Sequence, residues 1–128
     1  MSPKRILFID DDRGWTEMVK LNLEAAGGYE VCVENHSPEA VETARQFRPD
    51  LILLDYVMPG MDGGDVAACL QGDSDLRSVP VVILTALASN QEMGSDGTVR
   101  AGGQLMMAKP VRLATLRRCI EAQLACCV

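Results

Sequence analysis

Runs of consecutive large apolar residues alternate along the chain with segments in which apolar residues recur at helical spacing. Continuous aliphatic runs are typical of strands buried on both faces of a parallel sheet. They predict five strands, the second of them short and suited to an edge position: Arg5 to Ile9, Glu30 to Glu34, Leu51 to Leu54, Val81 to Leu84 and Leu105 to Ala108. Because strands alternate with helical segments, the pattern predicts an α/β fold with helices on both faces of the sheet.

Four segments have the apolar spacing of amphipathic helices. The first is expected to end at Gly27 and Gly28, and the second to begin with Ser37 as N-cap and Pro38 at its first position. The residues predicted to face the sheet are Trp15, Met18, Val19, Leu23 and Ala26 in the first helix, Ala40, Val41, Ala44 and Phe47 in the second, Val66, Cys69 and Leu70 in the third, and Leu113, Leu116, Ile120 and Leu124 in the last.

The segment between Thr85 and Gly103 fits this alternation poorly. A helix is expected there to cover the fourth strand, but Gly94 and Gly97 each cost a helix about 1 kcal/mol relative to alanine. Ser95, Asp96 and Thr98 in the same segment prefer turns and helix caps. We therefore expect a short, broken or mobile helix in this segment.

Length and charge narrow the class of protein. With 128 residues, the chain is expected to form one domain over residues 1–128. Its apolar runs are too short to span a bilayer, and its N-terminus, MSPKRILFIDDD, lacks the apolar stretch of a signal peptide, so we expect a cytoplasmic protein. A net charge of -6 argues against direct binding to nucleic acid. The five cysteines include no CxxC pair and are interpreted as small apolar residues.

Polar side chains follow four of the predicted strands at the point where each strand ends. Strand one runs into Asp10 and Asp11, strand three into Asp55, strand four into Thr85 and strand five into Lys109. The carboxyl ends of parallel strands share one edge of a sheet, where open α/β folds bind ligands. Clustered carboxylates suit magnesium. The set predicts a phosphoryl-transfer site in which one carboxylate attacks phosphorus and the hydroxyl and ammonium bind phosphoryl oxygens.

These motifs together resemble the receiver domain of two-component response regulators. The resemblance covers Lys4 to Leu124 and rests on IDDD, LILLDYVMPGMDG, VVILTA and AKPV. It implies the flavodoxin-like fold, a doubly wound five-stranded parallel sheet in the order 2-1-3-4-5 with helices on both faces. It also implies a domain that accepts a phosphoryl group from a phosphohistidine with Mg²⁺, in a two-component system or phosphorelay. The implied partners are a sensor histidine kinase or histidine phosphotransferase and an unknown downstream protein.

The resemblance assigns a role to each residue of the site. The implied metal ligands are Asp11 directly, Asp10 through water, Asp55, and Val57 through its backbone carbonyl. Asp55 is the implied phosphoacceptor, Thr85 would bind one phosphoryl oxygen, and Lys109 would bind another and pair with Asp55. We expect no enzymatic turnover beyond self-phosphorylation and slow self-dephosphorylation, and a monomer or weak dimer that acts by protein contact.

Two alternatives belong to other classes. A magnesium-dependent phosphohydrolase would also form an aspartyl-phosphate intermediate, but such enzymes typically carry an acid two residues after the nucleophile, and Val57 occupies that position. A pseudo-receiver would keep the fold without binding magnesium, and the five intact site residues argue against it.

Other polar and apolar residues near the motifs have simpler interpretations. Asp12 is interpreted as a helix N-cap rather than a third metal ligand, and Asp62 as a turn residue. Pro59 and the glycines after it are interpreted as shaping a loop. The lone histidine, His36, is expected to be an exposed loop residue. Trp15, Met106 and Met107 are expected to pack rather than to contact a cofactor.

Two departures from the family pattern bear on signalling. Met106 stands where the family usually has an aromatic residue, and a thioether cannot give the same two-state ring movement. Val57 and Leu87 flank the path of the attacking water in relatives, and neither can orient water by hydrogen bonding. We therefore expect slow self-dephosphorylation, and a structural response seen as ordering of Ser89 to Arg100.

Overall fold

The computed structural model describes residues 3–85, 98–101, 104–108 and 112–125. The strands are β1 (Lys4–Ile9), β2 (Tyr29–Glu34), β3 (Leu51–Asp55), β4 (Val81–Thr85), β5 (Thr98–Ala101) and β6 (Gln104–Ala108). The helices are α1 (Arg13–Ala26), α2 (Ala40–Phe47), α3 (Gly63–Gln71) and α4 (Leu113–Ala125), with a 3₁₀ turn at Ser37–Glu39. None of the helices in these ranges is long and apolar enough to cross a membrane.

The strands form one sheet in the order β2-β1-β3-β4-β6-β5. The pairs β1–β2, β1–β3, β3–β4 and β4–β6 are all parallel. The predicted fold class and the order 2-1-3-4-5 are therefore confirmed, with β6 as the fifth parallel strand. In such an order the chain reverses its direction of winding at β1, so the carboxyl ends of β1 and β3 flank a crevice.

The sixth strand, β5, was not predicted. Residues 98–101 pair antiparallel with β6, so the expectation of a helix up to Gly103 is wrong for these four residues. Residues 86–97, including the rest of that expected helix and Leu87, lie outside the described residues. Thr98 and Val99 are β-branched, which favours a strand. The register pairs Ala101 with Gln104, and the two glycines between them in the sequence are favoured in two-residue hairpin connections.

The core has two layers, one on each face of the sheet. Successive strand residues point to opposite faces, so Ile6 and Phe8 pack on one side of β1 while Leu7 and Ile9 pack on the other. The first layer receives Val19 and Leu23 of α1 and Leu116, Cys119 and Ile120 of α4. The second receives Ala40 and Ala44 of α2 and Val66, Ala67 and Leu70 of α3. The strands β1, β3 and β4 are thus buried on both faces, as their continuous aliphatic runs predicted.

Three predicted inward positions are wrong. Met18, Ala26 and Cys69 are exposed. On α1 the buried face includes Thr16, because its hydroxyl is satisfied locally by the carbonyl oxygens of Asp12 and Arg13, each at 3.1 Å. A polar residue can therefore occupy the face that hydrophobicity alone assigns to its neighbours. On α3 the small residue Ala67 takes the inward position expected of Cys69.

Candidate metal centre

Three polar side chains predicted from the strand ends meet at one edge of the sheet. Asp10 directly follows β1, while Asp55 and Thr85 are the last residues of β3 and β4. The register aligns Ile9 with Leu54 and Asp55 with Leu84, so the three strands end side by side. Asp10 is 1% exposed, Asp55 6% and Thr85 1%. Polar groups this deeply buried need partners, because leaving them unpaired costs free energy.

The acids at this edge could hold a metal ion. Asp10, Asp11 and Asp55 each offer a carboxylate oxygen, and these oxygens all lie within 4.8 Å of one another. Two of the three residues are buried and Asp11 is exposed, so the site is open on one side to entering ions and water. Hard oxygen donors around an opening that admits water are the ligands that Mg²⁺ prefers. The donor set therefore fits the predicted ion, with room for ligation through water.

The loop after β1 is held by hydrogen bonds that orient Asp10. The backbone N–H of Asp10 donates to the carbonyl oxygen of Glu34 at 3.1 Å. The Asp10 carboxylate accepts from the N–H of Asp12 at 3.0 Å. The Asp12 carboxylate in turn accepts from the N–H of Trp15 at 3.0 Å and caps α1. The prediction of Asp12 as a helix N-cap is therefore confirmed.

The loop between β3 and α3 has the shape that its glycines predicted. Gly60 has φ +88°, a left-handed conformation that glycine adopts without strain. The side chain of Val57 is 60% exposed, while the next residue, Met58, is buried in the core. Asp62 was predicted as a turn residue, and it is more specifically the N-cap of α3, accepting from the N–H of Asp65 at 2.9 Å.

Ser37 was predicted to cap a helix, and this prediction is wrong. Its hydroxyl instead donates to the carbonyl oxygen of Pro59 at 3.1 Å and accepts from the N–H of Met61 at 3.2 Å. The 3₁₀ turn at Ser37–Glu39 has no side-chain cap, although Pro38 does stand in its first turn. A long-range pair of hydrogen bonds has displaced the local cap, and it ties the end of β2 to the loop after β3.

Asn35 is a site residue that sequence reasoning missed. Its side-chain amide donates to the carbonyl oxygen of Asp10 at 2.7 Å and to Thr16 Oγ1 at 3.1 Å. These partners are 25 and 19 residues away in the sequence, so no local motif announces the contacts. Only the parallel pairing of β1 with β2 brings them together.

Of the remaining predicted residues, all but Lys109 lie in the described part of the chain. His36 is an exposed loop residue as expected, with Nδ1 3.4 Å from a carboxylate oxygen of Glu39. Met107 is buried in the first core layer, and Met106 and Trp15 are partly buried against the core, which confirms their packing role. Lys109 lies outside the described residues, so its place at the site stays a prediction.

The chain matches the family model described as the response regulator receiver domain over residues 6–121. Protein PilH of Pseudomonas aeruginosa is 36% identical over 94% of this chain and 98% of its own length. The polar-differentiation response regulator DivK of Brucella anthropi is 32% identical over 95% of this chain and 97% of its own. A crystal structure of the receiver domain of a signal transduction histidine kinase from Syntrophus aciditrophicus has a TM-score of 0.77 at 31% identity, covering 95% of this chain and 90% of that one.

These similarities extend over nearly the whole chain and agree with the strand order and the acid cluster described above. They do not favour the phosphohydrolase alternative. The chain therefore belongs to the family of response regulator receiver domains, the phosphoacceptor domains of two-component signalling.

Proposed function

We propose that this receiver domain accepts a phosphoryl group from a phosphohistidine onto Asp55, with Mg²⁺ bound by the neighbouring acids. The observation that carries the proposal is the position of Asp55 at the end of β3, with its carboxylate within 4.8 Å of those of Asp10 and Asp11. A lone buried carboxylate would be costly. Three together repel one another, and a bound cation relieves that repulsion.

Asp11 and Asp55 are the proposed direct ligands, Asp10 the ligand through water, and Val57 the ligand through its backbone carbonyl. Bound Mg²⁺ would neutralise charge on the phosphoryl oxygens. A carboxylate oxygen of Asp55 attacks phosphorus, an O–P bond forms, and the P–N bond to the imidazole of the donor breaks. The imidazole leaves with the bonding electron pair and takes up a proton from solvent, so the transfer needs no oxidant or further reactant.

Thr85 and Lys109 are the proposed groups that stabilise the transferred phosphoryl. Thr85 ends β4 beside Asp55, whose neighbour in the register is Leu84. Its hydroxyl can donate to a phosphoryl oxygen, and the ammonium of Lys109 can contact a second one. The proposal for Lys109 rests on its position in the sequence, directly after β6.

The proposed phosphodonor is a sensor histidine kinase or a histidine phosphotransferase in the cytoplasm. Met18 and Leu21 support a protein contact next to the site, since both are large apolar side chains exposed on α1, at 44% and 61%. The helix begins directly after Asp12, so Met18 and Leu21 lie about two to three turns along the chain from Asp11. We propose a single domain over residues 1–128, a monomer or weak dimer, that signals by protein contact and binds neither nucleic acid nor membrane.

The proposal separates cleanly from a phosphohydrolase in one experiment. A purified histidine phosphotransferase carrying phosphohistidine is mixed with the protein in Mg²⁺, and transfer is followed by intact mass. Steady-state hydrolysis of a generic phosphoester is measured in parallel. We expect one phosphoryl group per wild-type chain, none on Asp55→Asn, and no sustained hydrolysis. Multiple turnovers of the ester would favour the phosphohydrolase, and absence of transfer to the wild type would contradict the proposal.

A further inference from the structure

The segment from the end of β2 to the 3₁₀ turn, residues 35–37, contacts both loops that carry proposed metal ligands. We call it the brace. Asn35 at one end bonds to the loop after β1, and Ser37 at the other end bonds to the loop after β3. We infer that Asn35 and Ser37 are positioning residues for the divalent cation site, which they support from outside the set of ligands. The inference deepens the proposed function and rests on it.

The Asn35 contact fixes Asp10 from its backbone. The carbonyl oxygen of Asp10 accepts from Asn35 at 2.7 Å, and its N–H donates to Glu34 at 3.1 Å. Both backbone groups of Asp10 are therefore tied to the end of β2. Asn35 also donates to Thr16, whose hydroxyl donates to the carbonyl oxygen of Asp12 at 3.1 Å. The amide thus holds Asp10 and the first turn of α1 in one arrangement.

The Ser37 contact fixes the loop on the other side. Ser37 is 3% exposed, and its hydroxyl bonds to both Pro59 and Met61. A β-carbon added to Gly60, between them, would lie 3.4 Å from Cγ of Pro38, so the loop packs closely on the brace. This loop begins at Tyr56 and contains Val57, the proposed carbonyl ligand. Holding it at a set distance from β2 therefore sets where that carbonyl lies.

The two contacts together resist the electrostatic repulsion among the carboxylates of the acid cluster. Carboxylates at this spacing repel one another, and without restraint the two loops would separate when no cation is bound. A cation that finds its ligands already placed loses less free energy to ordering them. Groups that orient metal ligands by hydrogen bonding, without contacting the metal, typically raise metal affinity by about 10- to 100-fold. Because Asn35 and Ser37 act on backbone rather than on a ligand side chain, we expect their effects on Mg²⁺ affinity to lie at the lower end of that range or below it.

The test measures Mg²⁺ affinity and metal-free stability separately. Mg²⁺ alone is titrated into the full chain while the fluorescence of Trp15 is recorded, and urea unfolding is measured without metal. Trp15 suits the purpose because its backbone N–H bonds to Asp12, the residue that follows the proposed ligand Asp11. We expect Asn35→Ala to weaken Mg²⁺ binding about tenfold. Ser37→Ala should weaken it severalfold. The matched control is Asn22→Ala, because the Asn22 amide also donates to a backbone carbonyl, that of Met18, at 2.8 Å, but away from the acids.

A second variant separates positioning from electrostatics. Asn35→Asp keeps the shape of the side chain but replaces its NH₂ donor with an acceptor oxygen and adds negative charge near the site. Simple attraction would make this variant bind Mg²⁺ more tightly, whereas positioning predicts weaker binding than in the wild type. It also serves if Asn35→Ala is too unstable to titrate.

The outcomes distinguish a positioning role of Asn35 and Ser37 from a purely structural one. Weaker Mg²⁺ binding in both Asn35 variants, with the control unchanged, supports the inference. Wild-type affinity in Asn35→Ala with lowered metal-free stability overturns it and leaves a purely structural role. Tighter binding in Asn35→Asp overturns it as well. If the wild type itself gives no saturable response that Asp11→Ala abolishes, the proposed metal site fails, and the inference fails with it.

Discussion

Gly63, the first residue of α3, lies against the backbone of Asp55. A β-carbon added to Gly63 would come within 2.6 Å of the Asp55 carbonyl oxygen and 2.7 Å of the Tyr56 Cα. The Gly63 N–H donates to the carbonyl oxygen of Tyr56 at 2.6 Å. The first residue of α3 is therefore hydrogen-bonded to the residue that follows the proposed nucleophile. No side chain but hydrogen fits there, and the start of α3 fixes the loop that holds Val57.

Gly63→Ala should therefore destabilise the fold and distort the site. We expect a loss of about 2 kcal/mol or more in the free energy of unfolding, because overpacking against backbone cannot be relieved by a rotamer change. The control is Gly14→Ala in α1, where the added β-carbon would meet only Oδ1 of Asp12 at 3.7 Å. That change should be neutral or stabilise by up to about 1 kcal/mol. Urea unfolding of both variants checks the prediction, and equal stabilities would contradict the steric argument.

Contact with the phosphodonor should depend on the exposed apolar face of α1. Leu21→Glu places a charge on the residue that is 61% exposed there. We expect transfer from a phosphohistidine protein to slow at least tenfold, about the effect of losing one well-packed interface contact. Phosphorylation by acetyl phosphate should not change, because that donor is too small to use the surface.

Ala68→Glu is the matched control for Leu21→Glu. Ala68 is exposed on α3, which covers the opposite face of the sheet. Rates of transfer from one donor protein to each variant make the comparison. Equal slowing by both substitutions would show a general effect of charge and contradict a docking face on α1.

The fold could be predicted largely because its information is local. A run such as Leu51 to Leu54 is apolar on both faces, which is typical of a central strand in a parallel sheet. The acids were found for the same reason, since Asp10, Asp11 and Asp55 all stand where an aliphatic run ends. Asp12 as an N-cap was equally local, because its partner Trp15 is three residues away.

What the sequence did not reveal depends on long-range contacts. Ser37 looked like a cap because serine before proline often is one, but its partners lie 22 and 24 residues away. Asn35 carries no motif, and its role follows from the pairing of β1 with β2. The strand β5 was missed because the alternation of strands and helices predicts a helix after β4. A strand of four residues also gives little periodic signal.

Phosphoryl lifetime should depend on Val57. Its side chain is 60% exposed next to the proposed nucleophile and cannot orient a water molecule. Val57→Asn supplies a hydrogen-bond donor and an acceptor that can orient the attacking water. We therefore expect the acyl phosphate to decay several-fold faster, which is a small part of the rate increase that positioning a nucleophile can give. Val57→Ala is the control, since it opens space without adding a polar group. Decay is followed by the loss of phosphoryl mass after removal of the donor, and an unchanged lifetime in Val57→Asn would contradict the prediction.

The free edge of β2 should contribute to stability in a pH-dependent way. The carboxylate of Glu24 accepts from the N–H of Val31 at 2.9 Å, and Lys20 donates to the Val31 carbonyl oxygen at 2.7 Å. The hydrogen bond from Val31, together with the hydrogen bond and charge of Lys20, outweighs burial and lowers the pKa of Glu24 below its ordinary value of 4.5. A lowered folded-state pKa stabilises the fold above the ordinary value, and that contribution is lost as pH falls through the folded value.

Glu24→Gln should accordingly be less stable than the wild type at neutral pH. The difference should be constant down to about pH 5 and should close as pH falls below 4.5. Urea unfolding between neutral pH and pH 3 measures it. Glu17→Gln is the control, since Glu17 is an exposed carboxylate on the same helix. A difference that persists unchanged at pH 3 would assign the effect to packing rather than to the charge of Glu24.

The central claim is that Asp55 is the phosphoacceptor, and locating the phosphoryl group tests it most directly. The wild-type protein is phosphorylated with acetyl phosphate in Mg²⁺, the acyl phosphate is trapped with borohydride, and the modified residue is identified by peptide mass spectrometry. We predict modification at Asp55 alone, and none when Mg²⁺ is chelated. A label on Asp12 or Asp62, or no label on the wild type, would contradict the account.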